Sequence, residues 1–357
     1  KKDNKATIVD VLCNDSYSRD EKIQHLDVLM TSLFPKLEGD KVTFIGSTFM
    51  HYGEKEPYFN HCLVVGSCDE VPNATIETCE DEQSLLIKWM ELIQNENPDI
   101  IIGYNIFGFD YEFMFRRSQE LQCDREFLQL SRRMDDICAT LKDCKFEIEN
   151  TRVVLASGEY DLKYYNMTGR MQIDLYTYFR RDFNLSSYKL DDVAGEFISD
   201  DIVKTNFTYD ENDNPVTELY SKNVMGLHAG DYIHIDICGF TTDHYNDGAK
   251  FIVLKLEKRE EDGKSWSILT IKDHHYFDSK IKWTMAKDDV TPQDIFRLTR
   301  GSSADRAKVA KYCIQDCNLV HHLMNKIDVL TGYIEMSSIC SVPMSFLVFR
   351  GQGIKLT

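Results

Sequence analysis

The chain has 357 residues, is 43% hydrophobic and carries a formal net charge of −18 at neutral pH. That length can bury a large core, in two domains or in one domain with a sizeable insertion. No basic leader precedes an apolar stretch and no apolar run approaches bilayer length, and a soluble protein is predicted.

The first 40 residues read as a polar, irregular lead-in with one amphipathic stretch around Ile23–Phe34. Lys41–Tyr52 is rich in β-branched and aromatic residues and predicts a strand. Turn residues at Gly53–Pro57 lead into a second, antiparallel strand at Tyr58–Val65. Thr75-Ile76-Glu77-Thr78 reads as loop. Ser84–Asn95 sets Leu85, Leu86, Trp89, Met90 and Ile93 on one helical face, and Pro98 forbids its continuation. Asp99–Tyr104 is a short, wholly buried type of strand, followed through Asn105–Gly108 by a helix over Asp110–Leu121. Lys145–Tyr165 predicts a hairpin about Gly158, Gln172–Asp182 runs into a helix, and Ser187–Ile198 is a further helix. Phe207–Trp283 changes texture, with strand-like runs at Asp231–Ile237, Lys250–Leu256 and Trp266–Ile271 separated by acidic turns. Helical periodicity then returns in Arg306–Leu330 and in a segment ending near Pro343. Strands and helices in this order predict an α/β class with helices on a mixed sheet, interrupted by a β-rich insertion. The divisions are residues 1–40, 41–206, 207–285 (the insertion), 286–335 (closing helices) and 336–357.

Eleven scattered cysteines without a Cys-x-x-Cys pair read as reduced thiols. A charge of −18 argues against nucleic acid as partner, unless divalent ions supply the positive field that a carboxylate cluster then requires. Two places offer such carboxylates on rigid elements. Asp110 stands at a strand-to-helix junction beside Asn105, where it either caps the new helix or holds a metal ion. Tyr312 and Asp316, four residues apart, project from one helical face, either as a surface pair or as a phenol and carboxylate with a shared chemical task. Asp174 reads as a helix cap. Arg132, Arg133, Arg180 and Arg181 read equally as phosphate contacts or as solvated helix faces.

The frame around these residues carries more. Asn97-Pro98-Asp99-Ile100-Ile101-Ile102-Gly103-Tyr104-Asn105-Ile106-x-x-Phe109-Asp110 resembles the second exonuclease motif of family B DNA polymerases, in particular the delta type and those of large DNA viruses. Tyr312-Cys313-Ile314-Gln315-Asp316-Cys317 is similar to that family's third exonuclease motif. Gly169–Asp174 and Ser187-Tyr188-x-Leu190-Asp191 fall between them in the family's order. Arg350-Gly351-Gln352-Gly353-Ile354-Lys355, after Ser341-Val342-Pro343, is similar to the stretch that leads into the palm. The insertion and Asp294-Ile295-Phe296 lean toward the large-virus branch.

The resemblance implies a ribonuclease H-like 3′→5′ exonuclease domain within a DNA-directed DNA polymerase that proofreads mispaired primer ends. Asp110 and Asp316 would ligate two Mg²⁺ ions (Mn²⁺ as an alternative), Tyr312 would position the attacking water, Asn105 would hold the frayed primer end, and Phe109 would pack beneath it. The implied partners are primer-template DNA and its single-stranded 3′ end, dNTPs through a palm not contained here, and a sliding clamp. The implied setting is intracellular, in the host nucleus or a viral factory. The family's first motif, Asp-x-Glu, is not found. With Lys1 in place of Met, the expectation is that it precedes Lys1 and that the chain is an internal piece. A stand-alone exonuclease and a catalytically silent scaffold domain are the alternatives. The Lys145–Tyr165 hairpin resembles the element that separates primer from template.

Overall fold

A computed structural model describes residues 7–33, 39–155, 158–224, 227–239, 242–261, 263–286 and 290–350. The chain divides after Lys41 into two compact units. The first is more ordered than its polar sequence predicts. Helix α1 (Ile8–Leu12) starts from a capping box in which Thr7 and Asp10 satisfy each other's backbone N–H groups. Helix α2 (Arg19–Leu33) starts from the equivalent exchange between Ser18 and Glu21. Phe34 lies outside the described residues.

The second unit opens with β1 (Phe44–Phe49) and β2 (Phe59–Val65), antiparallel as the sequence predicts, with Phe44 opposite Val64 and Phe49 opposite Phe59. Strand β3 (Thr75–Cys79) lies parallel to β2, which corrects the loop reading of Thr75–Thr78. Five residues with alternating apolar and polar character are too short for pattern alone to separate strand from loop. Glu77 on this strand pairs with Lys88 Nζ at 2.7 Å and His61 Nε2 at 3.3 Å. Helix α3 (Glu82–Glu96) ends at Asn97 in the left-handed region, just before Pro98. Strand β4 (Ile100–Gly103) leads through a wide turn into α4 (Tyr111–Glu120), followed by the short α5 (Asp124–Phe127). Two hairpins come next, β5 (Thr140–Lys142) with β6 (Lys145–Glu147), then β7 (Glu149–Leu155) with β8 (Gly158–Tyr164). Strand β9 (Met171–Asp174) returns to pair parallel with β4, setting Gly103 beside Asp174, and runs straight into α6 (Leu175–Asp182) and then α7 (Leu190–Phe197). Among the described residues the mixed α/β architecture therefore holds a three-stranded sheet, β1-β2-β3, and a separate pair, β4-β9, where one mixed sheet was predicted.

The β-rich segment starts at Ser199, eight residues earlier than its sequence texture. Strands β10 (Ser199–Tyr209), β11 (Pro215–Ser221), β12 (Tyr232–Cys238), β13 (Thr242–His244), β14 (Phe251–Glu261), β15 (Lys264–Lys272) and β16 (Lys280–Ala286) are all antiparallel. Neighbours run β12-β14-β15-β11-β10-β16, and β16 pairs back onto β12, closing a six-stranded barrel with β13 as an extra flap on β12. Closure removes the free edges that an inserted open sheet would expose. Its interior packs Leu219, Ile233, Ile235, Val253, Leu269 and Trp283, whose indole N–H donates to Ser221 Oγ at 3.0 Å.

The chain closes with α8 (Pro292–Thr299), α9 (Ser303–Lys326), α10 (Val329–Cys340) and α11 (Met344–Phe349). Helix α9 packs across β1 and β2 through Ala310 and Ile314 against Cys62 and Val64. A side chain on Gly46 would meet the Cys313 backbone and Cβ at 3.1 Å, so glycine in β1 sets how closely this helix approaches. Residues 351–355, resembling the lead into a palm, lie outside the described residues. All eleven cysteines are free thiols, but only Cys62, Cys79, Cys123 and Cys138 are fully buried. Among the described residues no helix is long and apolar enough to cross a membrane.

One ion pair is sealed inside this frame. Arg117 and Glu82, 2% and 5% exposed, meet through Nη2–Oε2 at 2.6 Å and Nε–Oε1 at 2.7 Å, and Glu82 Oε1 also accepts the Val42 N–H at 2.8 Å. Removing one partner strands the other's charge in the interior. Arg117→Leu is expected to lower the free energy of unfolding in urea by about 3–5 kcal/mol; an unchanged urea midpoint would contradict this.

Candidate functional site

Chain geometry forces the segment after β4 to turn sharply before α4 can begin. Asn105 takes a left-handed backbone (φ 61°), which Asn tolerates better than most residues, and Ile106–Asp110 then forms one turn wider than an α-helical turn. The Asn105 carbonyl accepts the N–H groups of Gly108 and Phe109 at 3.1 and 3.0 Å. A Cβ at Gly108 would meet Asn105 Oδ1 at 2.4 Å, so glycine there leaves the carboxamide its place.

The turn is held by a residue that the sequence marks only as a cap. Asp174 does cap α6, accepting the Tyr176 N–H at 2.9 Å. The same carboxylate also accepts Asn105 N–H at 2.7 Å and Phe107 N–H at 3.0 Å. It is 2% exposed, and burial outweighs these three donors and pushes its carboxyl up to about 7. The signal for this second role is the parallel β4–β9 register, which no local pattern reveals.

Asp110 is not a cap: its carboxylate receives no hydrogen bond from the start of α4. The residue is open to solvent, yet protein crowds around it closely enough that desolvation raises its carboxyl to about 6. Phe109 is 58% exposed and stacks on Phe113 with ring centroids 5.5 Å apart. Tyr312 and Asp316 sit one turn apart on α9, both half-buried. Burial drives the Cys317 thiol upward, and Cys313, Asp316 and Asp110 add to the effect, so both aspartates lie within electrostatic reach of one sulfur atom. Asp316 also lines a cleft bounded by α7, α9 and the barrel, together with Asp231, His228 and Gln315; neither Asp110, Asn105, Phe109 nor Tyr312 lines it.

Three of the four arginines named above are engaged within the protein. Arg132 pairs with Asp99 at 2.7 Å, Arg180 stacks 4.0 Å over the Tyr188 ring, and Arg181 pairs with Asp182 at 2.7 Å and donates to Leu347 O at 2.9 Å. Arg133 is exposed. Among the described residues no three His, Cys, Asp or Glu side chains are grouped so as to hold a metal ion.

Because Asp174 keeps its proton more firmly in the folded chain than its ordinary value of 3.8 allows, its stabilising contribution is complete below about pH 4 and is lost as pH rises through about 7. Asp110, raised to about 6, acts with the same sign. Urea stability of the wild type is expected to fall with pH across this window by up to about 1.4 kcal/mol per pH unit from Asp174, and Asp174→Asn should remove that part of the slope. Subtracting one protein's curve from the other's isolates the residue; parallel curves would refute the assignment.

Residues 17–193 match the family model described as DNA polymerase family B, exonuclease domain. The chain is 42% identical over 370 residues to a DNA polymerase of Phaeocystis pouchetii virus, covering 100% of this chain and 35% of that protein. It is 35% identical over 361 residues to a DNA polymerase of Pyramimonas orientalis virus, covering 98% of this chain and 27% of that protein. The DNA polymerase delta catalytic subunit of Dictyostelium discoideum is 25% identical over 324 residues, with 91% of this chain and 21% of that subunit covered. The chain thus spans about a third or less of the length of these curated relatives. Asn105, Phe109 and Asp110 fall inside the span of the family match, and Tyr312 and Asp316 lie beyond it.

Proposed function

The chain belongs to the family B DNA polymerases, and on that premise we propose that it carries most of the 3′→5′ proofreading site of a DNA-directed DNA polymerase. The observation that carries this reading is that a non-capping Asp110, on a turn fixed by Asp174, and Asp316 on α9 both lie within electrostatic reach of Cys317. Strands β1-β2-β3 and β4-β9 are read as parts of one ribonuclease H-like sheet. In support, α9 packs against strands of both sets, and β1 and β4 each leave one edge unpaired among the described residues.

Within that reading Asn105 and Phe109 receive the frayed 3′ end. The exposed Phe109 face suits an unstacked base and the Asn105 carboxamide suits its polar edge. Tyr312 orients water beside the Asp316 carboxylate. The pair of Mg²⁺ ions that the family implies would supply the charge stabilisation for phosphodiester hydrolysis. The donor set here does not fit that pair: two carboxylates are too few, and no third His, Cys, Asp or Glu joins them among the described residues. The remaining ligands would come from other parts of the parent. Primer-template DNA, dNTPs, a sliding clamp and a replicative setting in a host nucleus or viral factory belong to that parent. A stand-alone exonuclease is disfavoured because the relatives are DNA polymerases.

The isolated 357-residue chain is expected to show little or no Mg²⁺-dependent digestion of single-stranded DNA, and robust digestion would count against the incomplete donor set. In the parent polymerase, Asp316→Ala should slow removal of a mispaired primer end on the order of a hundredfold or more. Nucleotide incorporation should be largely unchanged. Equal loss of both activities would show Asp316 to be a structural residue.

A further inference from the structure

The barrel is more than an appendage, because its root forms a wall of the cleft that Asp316 borders. Strand β10 leaves α7 directly, Ser199 lies opposite Thr284 of β16, and the His228–Tyr232 segment before and into β12 faces α9. Gln315 Nε2 on α9 donates to Asp231 Oδ1 at 3.4 Å. The His228 backbone N–H donates to Asp231 Oδ2 at 2.7 Å, and its Nε2 pairs with Glu56 at 3.3 Å. The acid on the barrel side therefore has partners already.

One polar atom in the cleft has none. Asn318 Oδ1 is buried and accepts no hydrogen bond among the described residues. His322, 4% exposed, lines the cleft beside it, its ring centroid 6.3 Å from that of His228. Native interiors leave few such groups unsatisfied, and each calls for an occupant. The walls beside them are apolar or aromatic, from Ala194, Leu319, Ala286 and Tyr232. Burial holds the His322 imidazole well below its ordinary value, at about 4, so at neutral pH it is uncharged, with one donor and one acceptor nitrogen. Asp191, Asp231 and Asp316 repel an anion from the same space.

We propose that the cleft between α7, α9 and the barrel is a pocket for an uncharged, planar, hydrogen-bonding group, a nucleobase of the single-stranded DNA, read by His322 and Asn318 against Tyr232, with the phosphates outside. The identity of the ligand rests on the proofreading reading above; the pocket's chemistry does not. The inserted barrel then supplies half of a base-binding site adjoining the scissile end.

The test uses the full 357-residue chain with free deoxynucleosides, followed by saturation-transfer NMR. Base protons of deoxyadenosine at millimolar concentration should receive saturation from the protein, and an equal concentration of inorganic phosphate should not reduce it. Ala286→Trp, filling the cleft from the barrel side, should remove the signal. His322→Leu should weaken binding about tenfold, as loss of a buried hydrogen-bonding partner does. Absence of base signals in the wild type, or their displacement by phosphate, overturns the proposal whether or not either variant folds. Nucleosides contain no phosphodiester, so that failure leaves the editing reading standing. Failure of the editing reading appears instead as an Asp316→Ala polymerase that still removes mispaired ends.

Discussion

The Asp174 carboxylate joins two segments that lie 69 residues apart in the chain, the end of β9 and the turn that follows β4. Backbone N–H groups at such a turn are only partly satisfied within it, because Asn105 is left-handed and the next residues form too wide a loop for ordinary helical bonds. One buried acid accepts two of them and the start of α6 as well. Everything proposed for Asn105, Phe109 and Asp110 depends on that anchor, since their directions are set by the turn and not by α4. The arrangement also explains why Asp110 is left uncapped: the turn's donors are taken by another acid, and its own carboxylate remains exposed to the solvent side.

The second constraint is the approach of α9. A long helix laid across β1 and β2 needs a strand surface without side chains at the crossing, and Gly46 provides it against Cys313. That contact fixes the rotation of α9 about its axis. With residue 313 turned to the sheet, residue 312 falls on a flanking face, and residues 315, 316, 318, 319 and 322 line the cleft beside the barrel. A single glycine in β1 thereby decides which α9 side chains are available for chemistry and which for packing.

Legibility in the sequence followed the range of the interactions. The β1–β2 pair, α3, β4, α4, α9 and the Asn105–Asp110 segment are written in local periodicity and punctuation, and the structure has them within a few residues. Strand β3 was missed because Thr75–Cys79 is short and half-polar, and its identity comes from pairing with β2. The start of the barrel was misjudged because Ser199-Asp200-Asp201 is acidic and becomes a strand only through β16. Asp174 was legible as a cap, a local role, and illegible as an anchor, a non-local one. The Glu82–Arg117 pair and the unsatisfied Asn318 Oδ1 carry no sequence signature at all, since burial is a property of the assembled fold.

Acidity also reads differently once assembled. A charge of −18 seems ill suited to DNA, yet much of it is already committed: Glu82 to Arg117, Asp99 to Arg132, Asp231 to His228 and Gln315, Asp174 to three amides. Barrel closure matters for the same reason. An open sheet inserted between α7 and α8 would need its edges protected, usually by further charge. A closed barrel needs no such protection, so the residues at its root are free to be chosen for what they face. What they face is α9 beside Asp316. The insertion leaves directly from α7, which borders the cleft, and this puts its strand ends where added side chains can reshape the pocket without disturbing the turn that Asp174 holds.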